Sequence, residues 1–315
     1  MNLGTFLWNI SGIRAPKSYD TTPLLLELPY CKPFYQTIPH PMYIDTSRPP
    51  PPKICSFVYP EENSFRAVVD DAGYISLNMK HGVKLDIAAN KAFRLKNSFQ
   101  GSNMALSSCA TQMALIHPKG RLLQYGSRIE IQAEDQVSVK NAKMYPKGIS
   151  FTANNCALVY LVDEAGARST TDQFHDLFAG DIVDKLFEES CKKVGFASHN
   201  LNLDHMDSSQ YWRSEEGLNC WLINGILIKQ TKDGFVIIER QNGMEKFIFK
   251  TSPSNGKVRL ESSFIHATAS LGEESHLFIK SGNHRLHYNG QTNMFVVRNA
   301  GNAAGFDETG MLRLL

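Results

Sequence analysis

From residue 65 onward one local pattern keeps returning: a short polar turn containing glycine, then alternating apolar positions. It reads Asp71-Ala72-Gly73-Tyr74-Ile75-Ser76-Leu77, then Pro118-Lys119-Gly120-Arg121-Leu122-Leu123. It returns as Lys232-Asp233-Gly234-Phe235-Val236-Ile237-Ile238 and as Ser254-Asn255-Gly256-Lys257-Val258-Arg259-Leu260. The last instance is Glu308-Thr309-Gly310-Met311-Leu312-Arg313-Leu314. Asp-Gly and Asn-Gly tolerate the positive φ that tight hairpin turns require. Alternation after each turn sends one set of side chains to a buried face. Such a chain folds as a run of hairpins rather than as parallel strands joined by crossover helices. The spacing between turns is irregular, which excludes a propeller or solenoid of fixed period.

The densest stretch runs from Met113 to Lys193. It holds the apolar runs Ala114 to Tyr125, Gly148 to Thr152 and Cys156 to Val162, then a turn at Asp163-Glu164-Ala165-Gly166, and Arg168 to Thr171. A helix is expected next, over Asp172 to Lys193. Thr171 or Asp172 can cap its start, and Phe174, Leu177, Phe178, Ile182, Leu186 and Phe187 approximate one apolar stripe. Gly180 inside it marks a break into two shorter helices, and Gly195 is a stop. His199 to Gly217 lacks apolar periodicity and reads as a loop. A second β region starts at Trp221 and runs to Leu315.

Eleven of the fourteen prolines lie between residues 16 and 60, a density that forbids long helices and central strands there. The same zone carries Leu24, Leu25, Leu26, Tyr30, Phe34 and Tyr35, so it is expected to be an extended arm that docks on something. Arg48-Pro49-Pro50-Pro51-Pro52-Lys53 should form a stiff polyproline II segment. It serves either as a rigid linker or as a ligand for an aromatic groove on a partner.

Charge and cysteine usage narrow the function classes. A formal net charge of +2 on 315 residues gives no broad field for nucleic acid or an acidic membrane. No stretch approaches eighteen apolar residues, and residues 1 to 11 make a poor signal peptide, so no membrane span is expected. The six cysteines form no Cys-x-x-Cys pair, which fits a reducing compartment. The expectation is the cytoplasm, with the nucleus left open, and no cofactor.

Candidate chemistry is sparse. His199, Asp204, His205 and Asp207 are metal-ligand types within one loop, with no remote ligand evident. His284 and His287 would share a face on a helix. In the hairpin read here they point to opposite faces and cannot chelate one ion. Together with His266 and His276 they could still gather on one sheet edge. Cys191 lacks a base partner. Gly301 to Glu308 has no Gly-Lys-Ser/Thr and opens no helix, so it is read as a tight strand crossing rather than a phosphate loop. Tyr211, Trp212, Arg213 and Trp221 mix rings with charge in the manner of single-strand stacking platforms, although nucleic acid is not expected at this net charge.

Strands followed by one amphipathic helix resemble a polo-box-like module, carried by Gly148 to Thr152, Ala157 to Val162, the Asp163-Gly166 turn, Arg168 to Thr171 and the helix. The resemblance implies a module that binds a protein partner or dimerises, sometimes reading phosphopeptides. The family's phospho-reading His and Lys pair has no counterpart among these residues. The second β region would be a diverged copy without its helix.

The sequence therefore predicts a mainly β (α+β) protein. It would hold two antiparallel β-meander modules, one main helix and a Pro-rich extended N-terminal arm. The expected divisions are 1–62 for the arm, 63–200 for the meander closed by the helix, and 201–315 for the second module. The expected role is non-enzymatic protein–protein interaction or scaffolding, with homodimerisation open. Partner contacts are assigned to Arg48, Pro49, Pro50, Pro51, Pro52 and Lys53. The alternatives are an enzyme or metal-dependent binder using the histidine-bearing loops, and single-stranded nucleic-acid binding.

Overall fold

The structure, a computed structural model, describes residues 67–134, 138–192 and 198–315. The hairpins expected from the turn pattern are all present, and they build two sheets. The first contains β1 (Ala67–Val69), β2 (Ile75–Asn78), β3 (Val83–Ile87), β4 (Phe93–Asn97), β5 (Ser102–Leu106) and β6 (Gln112–His117). It continues with β7 (Gly120–Tyr125), β8 (Arg128–Glu134), β9 (Val139–Tyr145), β10 (Gly148–Ala153), β11 (Val159–Asp163) and β12 (Gly166–Thr170). Two helices follow, α1 (Ile182–Lys192) and α2 (Ser198–Asp207).

The second sheet opens with β13 (Gln210–Arg213), β14 (Asn219–Ile223), β15 (Ile226–Gln230), β16 (Val236–Asn242), β17 (Glu245–Thr251) and β18 (Val258–Glu261). It ends with β19 (His266–Ser270), β20 (His276–Ser281), β21 (His284–Asn289), β22 (Phe295–Asn299), β23 (Asn302–Phe306) and β24 (Leu312–Leu314). Each sheet is a twelve-stranded meander in sequence order, and the paired strands run antiparallel. The fold is mainly β, with few helices.

The turns show why these residues form hairpins. Gly73 and Gly310 each sit at φ 79°, a conformation that a side chain disfavours. Three residues before each glycine an aspartate side chain closes the turn: Asp70 Oδ1 accepts from the Tyr74 N–H, and Asp307 Oδ1 from the Thr309 and Met311 N–H groups.

The two sheets stack face to face over one hydrophobic core, which includes Leu85, Phe93, Phe151, Ile228, Phe249 and Phe306. Contacts between them fix their order. Gln230 meets the backbone of Lys80, Phe247 lies 5.8 Å from Phe93, and Thr251 bonds Asn97. Further along, the Gly256 carbonyl meets His117, Phe306 lies 5.5 Å from Phe151, and Asn302 donates to the Asp163 carbonyl. Advancing along one meander advances along the other, so both start at the same end.

Twelve strands about 4.8 Å apart extend across roughly 50 Å, and the chain must return that distance before β13. Residues 171–192 make the return over the outer face of the first sheet, touching successive strands. Asp172 accepts from Lys143, Tyr145 and Ser150 on β9 and β10. His175 Nδ1 lies 2.8 Å from Glu130 on β8. The Leu177 N–H donates to Gln132, and its carbonyl accepts from Arg121 of β7 at 2.7 Å. Helix α1 then rests Val183, Leu186 and Phe187 on Ala88, Ala92, Ala105, Ala114 and Leu123. Alanines at these outward positions let the helix approach closely, and each large apolar side chain so buried contributes about 1.5–3 kcal/mol.

Three sequence expectations change. The helix begins at Ile182 rather than at Asp172. Its cap is Asp181, whose Oδ1 accepts from the Val183 and Asp184 N–H groups at 2.9 Å. Asp172 is already engaged by the sheet, and the backbone groups of Gln173, His175, Leu177 and Gly180 bond to strand side chains. Residues 198–207 form α2 instead of a loop; Asn202 donates to the Gly73 carbonyl, and Met206 packs against the core. The resemblance carried by residues 148–171 covers only the end of a larger, twelve-stranded meander.

Candidate functional site

No such strap crosses the outer face of the second sheet among the described residues. Strand alternation decides what stands on it. On β20, Leu277 and Ile279 are buried while His276, Phe278 and Lys280 face out. On β21, His284, Leu286 and Tyr288 point inward and Arg285 and His287 outward. On β22, Phe295 and Val297 enter the core, and Val296 and Arg298 take the outer face. His284 and His287 thus lie on opposite faces, as their odd spacing in a strand requires.

The register assembles these residues into two adjoining rows. Lys280 stands opposite Arg285, and Arg285 opposite Arg298, so three cations follow one another across three strands. All three are exposed, and among the described residues none has a carboxylate partner. In the neighbouring row Phe278 faces His287, and His287 faces Val296. Phe278 is half-buried and Val296 is 8 % exposed, which makes this row an apolar floor. Ring contacts tie the floor together: His266–Phe278 at 6.3 Å, Phe278–His287 at 6.5 Å and His276–His287 at 6.4 Å.

Burial first, and then the nearby His276 and Arg298, push the His287 imidazole below its ordinary pKa. At neutral pH the ring is therefore uncharged, and the positive charge of the patch belongs to Lys280, Arg285 and Arg298. Lysine and arginine offer only donors, and guanidinium groups match carboxylate and phosphate oxygens in pairs. The arrangement can bind anions.

The other sequence candidates are scattered. Arg48, Pro49, Pro50, Pro51, Pro52 and Lys53 lie outside the described residues. His199 falls within α2, and its side chain is also outside them. Asp204 and Asp207 are exposed on α2 and His205 is half-buried. Among the described residues no three His, Cys, Asp or Glu side chains gather as a metal site. Burial pushes the Cys191 thiol up to about 11, with Tyr74 beside it. Residues 302–306 are strand β23, and Gly305 is pressed so close to β22 that a Cβ there would meet the Val296 Cα at 2.8 Å. Tyr211, Trp212 and Arg213 lie exposed on edge strand β13, with Tyr211 5.5 Å from the buried ring of Trp221.

One open cleft of about 570 Å³ lies where residues 171–172 leave the first sheet, between Tyr145, Lys147, Leu161 and Arg168. Two ion pairs already occupy it, Arg168 with Asp163 and Asp172 with Lys143, and Lys147 stands exposed at its rim. The row of Lys280, Arg285 and Arg298 escaped the sequence reading. These residues sit in three strands, and only the register brings them side by side.

No helix of the described residues is long and apolar enough to cross a membrane. Among solved structures, the wild-type TCP10 domain of Danio rerio CPAP in complex with a peptide of Danio rerio STIL is 10 % identical at a TM-score of 0.18. That match covers 77 % of this chain and 93 % of the other. The same wild-type TCP10 domain by itself is 9 % identical at a TM-score of 0.22, covering 79 % and 97 %. No curated protein matches the chain. A family model does match, across residues 66–312 and so across both meanders, and the chain belongs to that family, described as "Domain of unknown function (DUF8796)".

Proposed function

We propose that this protein is a non-enzymatic protein-interaction module that takes its partner on the outer face of the second sheet. One contrast carries the reading. The first sheet's outer face is covered by the chain's own residues 171–192, through Asp172, His175, Leu177 and α1. The second presents Leu222, Leu227, Ile237, Ile248 and Phe278 only half-buried. A sheet face with apolar side chains among charges is a surface that proteins cover with another element. The edge strands β13 and β24 add unpaired backbone groups that a partner strand can extend. The Arg48–Lys53 segment is a second docking element in the same proposal.

The test is site-specific photo-crosslinking in cells. A photoreactive phenylalanine analogue replaces Phe278 in one protein and Lys185, exposed on α1, in another. The expected result is discrete protein adducts from position 278 and only background from 185. Background from 278, and equally from 237 and 248, would sink the proposal.

A further inference from the structure

We infer that the second sheet's outer face, between β19 and β23, binds an acidic amphipathic segment of another protein; this rests on the interaction reading above and adds the chemistry of the partner. The first observation is the cation row. Residues directly opposite one another on paired strands have Cβ atoms about 5 Å apart, and like charges there are unfavourable. Lys280 opposite Arg285 and Arg285 opposite Arg298 make two such pairs in succession. No carboxylate among the described residues relieves them. At one end of the row His266 separates Lys280 from Glu261, which is itself held by Arg259. A ligand supplying carboxylates would remove this repulsion.

The second observation is how the same chain treats outward cations on its other sheet. Arg94 and Lys96 project from the outer face of β4, and α1 lies over them. Asp86 on the neighbouring strand holds Arg94 at 2.7 Å, and Asp184 of that helix adds contacts to Arg94 Nη1 at 2.9 Å and to Lys96 Nζ at 2.8 Å. Phe187, one turn further on, lies under the Arg94 guanidinium at 4.7 Å. Cations on a sheet face, an apolar floor beside them and carboxylates from the sheet and from an acidic amphipathic helix above form one unit there. The second sheet has the cations and the floor of Phe278, His287 and Val296, and lacks the helix.

The third observation concerns who supplies it. Residues 1–62 hold five Lys or Arg (14, 17, 32, 48 and 53) against five Asp or Glu (20, 27, 45, 61 and 62). That arm carries no anionic surplus, so the acidic segment belongs to a partner. Nucleic acid is disfavoured because its affinity comes from neutralising many phosphates along a stripe. Here three free cations stand beside an apolar row on a chain of net charge +2.

The experiment measures fluorescence anisotropy with the full chain and three labelled probes. One is an eighteen-residue peptide of Glu and Leu at helical spacing; the others are its Lys-for-Glu counterpart and a single-stranded RNA of matching charge. The Glu peptide should bind, and the Lys peptide should not. The triple variant Lys280→Gln, Arg285→Gln, Arg298→Gln should weaken the Glu peptide at least tenfold. Arg285→Glu should abolish binding while leaving Tm equal or higher, since it replaces two repulsive pairs by attractive ones. Absent Glu-peptide binding, binding unchanged in the triple variant, or RNA binding tenfold tighter than the peptide would each overturn the inference. Crosslinks from position 278 that persist in the triple variant would overturn the acidic partner while leaving the interaction reading in place.

Discussion

Gln230 of the second sheet completes the backbone of Lys80 in the first, accepting from its N–H and donating to its carbonyl, both at 3.1 Å. Gln230 is fully buried, so one side chain satisfies two main-chain groups that the ladder leaves over. Gln230→Ala should cost about 2–3 kcal/mol, the penalty of leaving buried polar groups unpaired. Gln230→Glu should cost more, because it adds a buried charge. Urea denaturation compares them; a loss under 0.5 kcal/mol (roughly the surface-substitution range) would mean the joint is dispensable.

Arg240 makes a second joint. It is 2 % exposed and donates to the carbonyls of Lys91 and Ser107, each at 2.8 Å, and to that of Ser108. Burial lowers its pKa to about 10. Carbonyls stand in for a carboxylate, and the fork of the guanidinium reaches all three. Arg240→Lys keeps the charge without the fork and should lose about 2 kcal/mol, and Arg240→Met about 3 kcal/mol or more. Equal stability of the lysine variant and the parent would show that the fork is not needed.

His117 gives the fold a pH dependence of definite sign. Its Nε2 donates to the Gly256 carbonyl at 3.0 Å, and Nδ1 accepts from the Lys119 N–H at 3.1 Å, which is the neutral ring. Burial lowers its pKa to about 4. The unfolded chain therefore takes up this proton first, below about 6.5. Stability is complete above that value and is lost as pH falls from about 6.5 toward 4, by up to about 3 kcal/mol from this group. His117→Gln should flatten the profile in that window relative to the parent; parallel profiles would refute the assignment.

Asp172 anchors the start of the return crossing. Burial by itself would raise its pKa, but hydrogen bonds from Ser150, Tyr145 and Lys143 outweigh that and hold the carboxyl below its ordinary value. Its stabilising contribution is present above an ordinary carboxylate pKa and fades as pH drops through the lowered one. Lys143, with a side chain 2 % exposed, would lose its carboxylate partner in Asp172→Ala. The expected cost is about 3 kcal/mol. Amide exchange should accelerate at residues 173–180 before it does so in β9 or β10. Simultaneous acceleration of sheet and crossing would show that the crossing does not open separately.

Hairpins and inward-facing residues were legible because both are local properties. A two-residue period and a Gly turn are readable within seven residues, as Asp71 to Leu77 shows. The opposite faces of His284 and His287 follow from the same period. The helix start was misplaced because Asp172 is a good cap by type, and only Tyr145, Ser150 and Lys143, more than twenty residues upstream, claim its carboxylate. The amphipathic turn of α2 was missed because its inward residues, Asn202 and Met206, do not form an apolar stripe.

What the sequence determined by itself was which side of each strand turns inward, since alternation and turn chemistry act between neighbours. Tertiary structure alone decided what lies on the outward sides. Glu130 and Lys143 stand on the outer face of the first sheet and are buried where His175 and Asp172 cross over them, while Lys280, Arg285 and Arg298 stay open. The cross-sheet hydrogen bonds of Lys80, Asn97 and Asp163 reach partners 139 to 154 residues away. Contacts of that span leave no local period, because the residues that cover a face are chosen by the path of the chain and not by the residues beneath.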